Sequence, residues 1–364
     1  MRNGLSLNLL FGVLMAGAAA GLLAGLYSGL LLLGLSLPQP LDIGGAVHGP
    51  LMINGFLAAL ISLERAAALE LRWTYAAPIG FVLSTIFLIS GNLFWFGMFL
   101  MTGSLLLVII LAYLLKLHPS TYHFIMLMGV LALLAGNFGF VRGWPVSELA
   151  GWWIAFPVLT IFGERLELNR IMRPPEKAQW LFTGLVIVWL VSLSLLPVDR
   201  DAFWVISSGI LILLSLWLLK YDIARRTIRT SEWPRFSALG MLTAYVWIII
   251  AALFGMWYGL PYAGPVYDAI LHIFFVGFVF SMIFAHAAII IPALTGLTVT
   301  YSVYFYLPYL LLNGFLALRI IGDLMWIPEL RAIGAYGNVL AILLFLGGIL
   351  FQVVRSAGFP QKMR

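Results

Sequence analysis

Twelve apolar stretches of roughly 20 residues each constrain this chain more than any other feature. "GILILLSLWLL", residues 209–219, is typical of them. Water offers no fold in which so many such runs are all buried. A bilayer does, because a helix satisfies its own backbone there and needs no apolar partner for its side chains. Composition agrees: 63% of the 364 residues are hydrophobic and 9% are charged. The spans are expected at 8–36, 46–68, 75–92, 94–117, 120–141, 147–169, 180–197, 202–221, 237–259, 267–294, 301–324 and 333–354. Short breaks rich in Pro, Gly or charge separate them. The expected fold class is all-α integral membrane, with residues 1–364 as a single polytopic membrane domain. The opening "MRNGLSLNLLFGVLMAG" lacks a convincing cleavage site and reads as the first span.

Charge orients the helices. With the N-terminus in the cytoplasm, sixteen of the 20 lysines and arginines fall on the cytoplasmic side. Only Arg142, Arg200, Arg319 and Arg331 fall near the other face. This positive-inside bias supports twelve spans, both termini cytoplasmic, in the inner (plasma) membrane. The net charge of +6 thus records topology and points to no nucleic acid. The basic loop "KYDIARRTIRTSEWPR" suits anionic lipid headgroups. Cysteine is absent, which excludes disulfides, thiolate metal sites and covalent haem attachment.

The five histidines sort by depth under this topology. His48 and His272 open the second and tenth spans near the outer face. His286 lies fourteen residues beyond His272, roughly 21 Å deeper and about 40° round an ideal α-helix. His118 and His123 lie near the cytoplasmic face, His118 in a solvated position beside Pro119. A lone intramembrane histidine is more often a satisfied polar group than a ligand. Two at matched depth on separate helices shift the balance toward a shared ligand, and haem iron accepts two axial imidazoles.

"HGPLMINGFLAAL" (residues 48–60) resembles helix 2 of the haem–copper oxidase large subunit, whose His-Gly-x-x-Met stretch supplies an axial ligand of the low-spin haem. "LHIFFVGFVFSMIFAHAAIIIPALTGLT" (residues 271–298) resembles helix 10 of that family, in which a histidine precedes a Pro-x-x-x-Gly turn by twenty residues, as His272 precedes Pro292 and Gly296. The resemblance implies a haem–copper oxidase subunit I-like pseudo-threefold bundle holding a low-spin haem b on His48 and His272. It also implies a cationic partner for the haem propionates, for which Arg319 is the candidate. The competing reading of Arg319 is an ion pair with Asp323, one turn along. Two departures matter. The family's high-spin haem ligand is replaced by Ile270, and the copper-ligating helices 6 and 7 (147–197) hold no histidine. The chain is in this respect similar to the NnrS-like membrane haem proteins of the nitric-oxide response.

Helices 2, 6 and 10 are equivalent in the oxidase fold. Glu64, Glu164 and His286 occupy comparable places in them, with His123 at a similar depth. These four residues are expected to form a second site for non-haem Fe, Mn, Zn or Cu, since carboxylate and imidazole suit such ions. A proton relay or quinol site uses the same groups. The plainer reading is interfacial charge, with Arg65 and Arg165 pairing with the glutamates.

The function these features favour is electron transfer or respiratory gas chemistry, with nitric oxide preferred to oxygen and a redox protein or quinol as electron donor. If the chain is an enzyme, it is an oxidoreductase. A secondary transporter or channel, and a haem-based sensor or assembly factor, are the competing classes. Polar residues at the two ends of the spans weigh against transport.

Overall fold

The computed structural model describes residues 2–38 and 44–358, with side chains for 9–38, 44–292 and 295–356. Lys362 and Arg364 of the charge count lie outside the described residues. Among the described residues every regular element is helical. Twelve helices are long and apolar enough to cross a membrane. They are α1 (Leu9–Leu32), α2 (Gly45–Leu69), α3 (Arg72–Ile89), α4 (Leu93–Leu117), α5 (Thr121–Val141), α6 (Val146–Met172), α7 (Glu176–Leu195), α8 (Arg200–Tyr221), α9 (Glu232–Tyr258), α10 (Pro265–Pro292), α11 (Val303–Leu324) and α12 (Pro328–Ser356). This is an all-α, multi-pass integral membrane protein.

The helix ends differ from the hydropathy boundaries for local reasons. α7 starts at Glu176, not 180, because the Pro175 carbonyl accepts from the Ala178 and Gln179 amides and seeds the first turn. α9 starts at Glu232, not 237. Pro234 is tolerated there because first-turn amides have no intrahelical partner. α3 stops at Ile89, short of 92. Gly91 takes φ +73° and Asn92 then caps α4 by accepting from the Trp95 amide at 3.3 Å.

Backbone contacts group the chain into two compact units, Met1–Gly163 and Glu164–Arg364. In the first, α1 to α5 pack each against the next. Small residues let the backbones meet. A Cβ on Gly21 of α1 would lie 2.4 Å from the Gly55 carbonyl oxygen of α2, and one on Gly55 would lie 2.8 Å from Thr85 Oγ1 of α3. In the second, α7 to α12 again pack in sequence order. α11 and α12 form its tightest hairpin. A Cβ on Gly334 would lie 2.5 Å from the Arg319 amide nitrogen, which fixes Arg319 against α12.

Neither α2 nor α10 is a plain α-helix. α2 is π-helical over Leu51–Ala58, and α10 over Ile273–Phe280. Both stretches are eight residues long and begin within one turn after His48 and His272 respectively. This corrects the angular expectation for α10. The wider π turns lie between His272 and His286, so the 40° offset expected of an ideal α-helix does not apply. π turns are rare and recur at functional sites.

Candidate functional site

His48 stands on the first α-helical turn of α2, and Pro50 in that turn needs no hydrogen-bonded amide. The start of α2 is tied to α1 by the Ser28 hydroxyl, which donates to the Gly44 carbonyl at 2.7 Å and lies 3.2 Å from that of Gly45. His48 Nδ1 lies 2.7 Å from the Gly25 carbonyl oxygen. A carbonyl only accepts, so Nδ1 carries a proton. The ring lies over Gly29, where a Cβ would come within 2.9 Å of Nδ1 and Cε1. Gly29 makes room for the imidazole.

His272 ends the α-helical first part of α10. Its Nδ1 faces the Asp268 carbonyl oxygen at 2.8 Å and the Asp268 carboxylate at 3.2 Å. Nδ1–H is therefore shared between two oxygens of the residue one turn earlier. Arg319 completes the group. Its Nε donates to Asp268 Oδ2 at 2.8 Å and its Nη2 to Oδ1 at 2.9 Å. The arginine expected to find an anion does find one, and it is Asp268, not Asp323. Asp323 is 1% exposed and lies 3.9 Å from Arg331 Nε, too far for a hydrogen bond.

The other end of α10 carries a second Arg–Asp pair. Arg165 of α6 is 1% exposed and donates from Nε and Nη2 to Asp222, both at 2.8 Å. Asp222 follows α8 and also accepts from the Tyr245 hydroxyl and the Ala224 amide, each at 2.8 Å. Every oxygen of this buried carboxylate is thus satisfied. Arg165 Nη1 reaches His286 Nε2 at 3.3 Å, while His286 Nδ1 donates to the Met282 carbonyl at 2.7 Å. The partner of Arg165 is Asp222, where the sequence suggested a glutamate.

The remaining expected residues have their own local settings. Glu64 lies 3.9 Å from Nη2 of its neighbour Arg65. Glu164 is partly exposed. His123 serves the start of α5: its Nδ1 donates to the His118 carbonyl at 2.9 Å, and its amide donates to Ser120 Oγ at 3.3 Å. Among the described residues no group of three or more His, Asp and Glu side chains is placed to hold a metal ion.

The first unit also buries a polar cluster that hydropathy did not reveal. The Asn137 amide of α5 donates to Asn54 Oδ1 of α2 and to Ser104 Oγ of α4, both at 2.8 Å. Asn137 Oδ1 accepts from Trp153 Nε1 of α6 at 3.0 Å. Four spans are cross-linked through one asparagine, and Asn54 lies inside the π-helical stretch of α2. Polar side chains are therefore not confined to the span ends, which removes that objection to a transport role.

Helix content and span count define the class: a twelve-span, all-α membrane protein. The model of the family described as Domain of unknown function (DUF8744) matches residues 11–354, and the chain belongs to that family. No curated protein matches it.

Proposed function

We propose that this chain is a membrane b-type haem protein with an oxidase-like helix arrangement, in which His48 and His272 are the axial ligands of one low-spin haem. The observation that carries this reading is the shared setting of the two histidines. Each stands at the start of a span, gives its Nδ1 proton to a backbone carbonyl, and precedes an eight-residue π-helical stretch. A hydrogen bond at one ring nitrogen that fixes the tautomer is the usual companion of metal ligation at the other. The residues thus fit the group, and iron held by them would exchange single electrons with a donor.

The chemistry is electron transfer or reaction with a respiratory gas, nitric oxide in preference to oxygen. Ile270 and the histidine-free stretch 147–197 lack the ligands of a haem–copper oxygen-reducing centre. Arg319 enters this reading through Asp268, which already engages two of its nitrogens. The positive-inside bias orients the chain with both termini in the cytoplasm.

The test is the optical spectrum of the purified protein, oxidised and dithionite-reduced. Sharp reduced b-type bands are expected, lost in His48→Ala and in His272→Ala. Unchanged bands in both variants overturn the ligand assignment. Wild-type protein without haem overturns the reading altogether and leaves a carrier or channel as the class.

A further inference from the structure

The Asp268–Arg319 pair is more elaborate than holding a ring requires. His48 Nδ1 faces a neutral carbonyl oxygen. His272 has the same kind of carbonyl contact and, in addition, a carboxylate oxygen at 3.2 Å. That carboxylate is clamped by the two-pronged contact from Arg319, at 2.8 and 2.9 Å. Arg319 is 8% exposed, and its backbone is pressed against Gly334. The arrangement fixes the direction of the carboxylate and places negative oxygen, not the guanidinium, against Nδ1–H.

We infer that Asp268 is a positioning residue that gives His272 anionic character and so sets the electron affinity of the iron it ligates. This rests on the haem reading above. An N–H donated to a carboxylate pushes electron density through the ring to Nε2 and raises its basicity as a ligand. A more strongly donating ligand favours the oxidised metal. Arg319 holds the plane of the carboxylate, in the fork geometry that only arginine supplies.

The test is a reductive titration of the purified holoprotein for wild type, Asp268→Asn and Asp268→Glu. Asparagine keeps size and hydrogen bonding but removes the charge. The expected result is a rise in midpoint potential in Asp268→Asn with the low-spin spectrum retained, and a return toward the wild-type value in Asp268→Glu. An unchanged midpoint in Asp268→Asn with full haem content overturns the inference and leaves the haem reading standing. Absence of the low-spin spectrum in wild type takes down both. Should Asp268→Asn fail to assemble, the low-spin ferric EPR signal of wild type decides. An anionic imidazole ligand narrows the spread of its g values, and the spread of two neutral imidazoles overturns the inference.

Discussion

The two ends of α10 make a controlled comparison. His272 and His286 lie on one helix, both give Nδ1–H to the carbonyl four residues back, and both adjoin a two-pronged Arg–Asp pair. The pairs face them with opposite polarity. At His272 the carboxylate meets the ring; at His286 the guanidinium does. The consequence falls on Nε2. At His286 that nitrogen accepts from Arg165 Nη1, so a cation already stands where a metal would bind. At His272 the carboxylate lies against Nδ1 and is itself paired with Arg319. Residue type and burial alone do not separate a ligand from a structural histidine. Under the haem reading, the group beside the ring is what sets the two apart.

The sharpest way to break this comparison is to remove each ring in turn. His272→Ala is expected to abolish the reduced haem bands, and His286→Ala to keep them at full intensity. Equal loss in both would erase the distinction between the two ends.

Stability should rank the pairs the other way. Asp222 is 0% exposed, and its removal leaves Arg165 buried and unpaired, so Asp222→Ala is expected to cost about 3–5 kcal/mol. Asp268 is partly exposed, and Asp268→Asn should cost about 2 kcal/mol. Thermal unfolding in detergent measures both. A larger loss at Asp268 would make that pair the structural one.

The contrast extends to α2, where the His48 ring lies over Gly29 and faces the Gly25 carbonyl. Gly29→Ala puts a Cβ 2.9 Å from the His48 ring and should cost about 1–3 kcal/mol together with weaker haem retention. Gly12→Ala is the control, since a Cβ there meets nothing within 4 Å. Similar haem loss in both variants would show that the space over Gly29 is not what positions His48. The smallest effect is expected of Glu164→Gln combined with His286→Ala. Because Arg165 occupies His286, non-haem metal content should equal that of wild type. Loss of about one ion per chain would instead support the four-residue metal site.

The sequence made the spans legible because twenty apolar residues in a row have few other uses. It also showed the end of α10. Gly296 adopts φ +69° and its amide donates to the Pro292 carbonyl at 2.9 Å, as the Pro-x-x-x-Gly spacing suggests. His48 and His272 stood out because imidazole is rare in lipid. Their partners did not. Asp268 was legible in principle, one turn before His272, but Arg319 lies 51 residues away and the nearer Asp323 competed for it. Arg319 gives both prongs of its fork to Asp268 instead. Asp222 sits in a loop that reads as a basic surface, 57 residues from Arg165, and nothing local marks it as buried. Asn137 is a single polar letter in an apolar run, and its three partners lie on three other helices.

The π-helical stretches of α2 and α10 act as phase shifters. Each i→i+5 loop encloses one residue more than the α-helical loop, so the chain turns less per residue and everything downstream points to a new bearing. A helical wheel drawn from the sequence is thus out of step beyond Ala58 and beyond Phe280. Length becomes an angular variable. One residue deleted inside Leu51–Ala58 would tighten the turns toward α-helix and swing His48 relative to Glu64, without altering a side chain at either. Outside Asn54, Gly55 and Gly277, which meet neighbouring helices, the composition of these stretches is free to drift among apolar residues. Their residue count is not, because it sets the bearing of the histidine at the start of each helix.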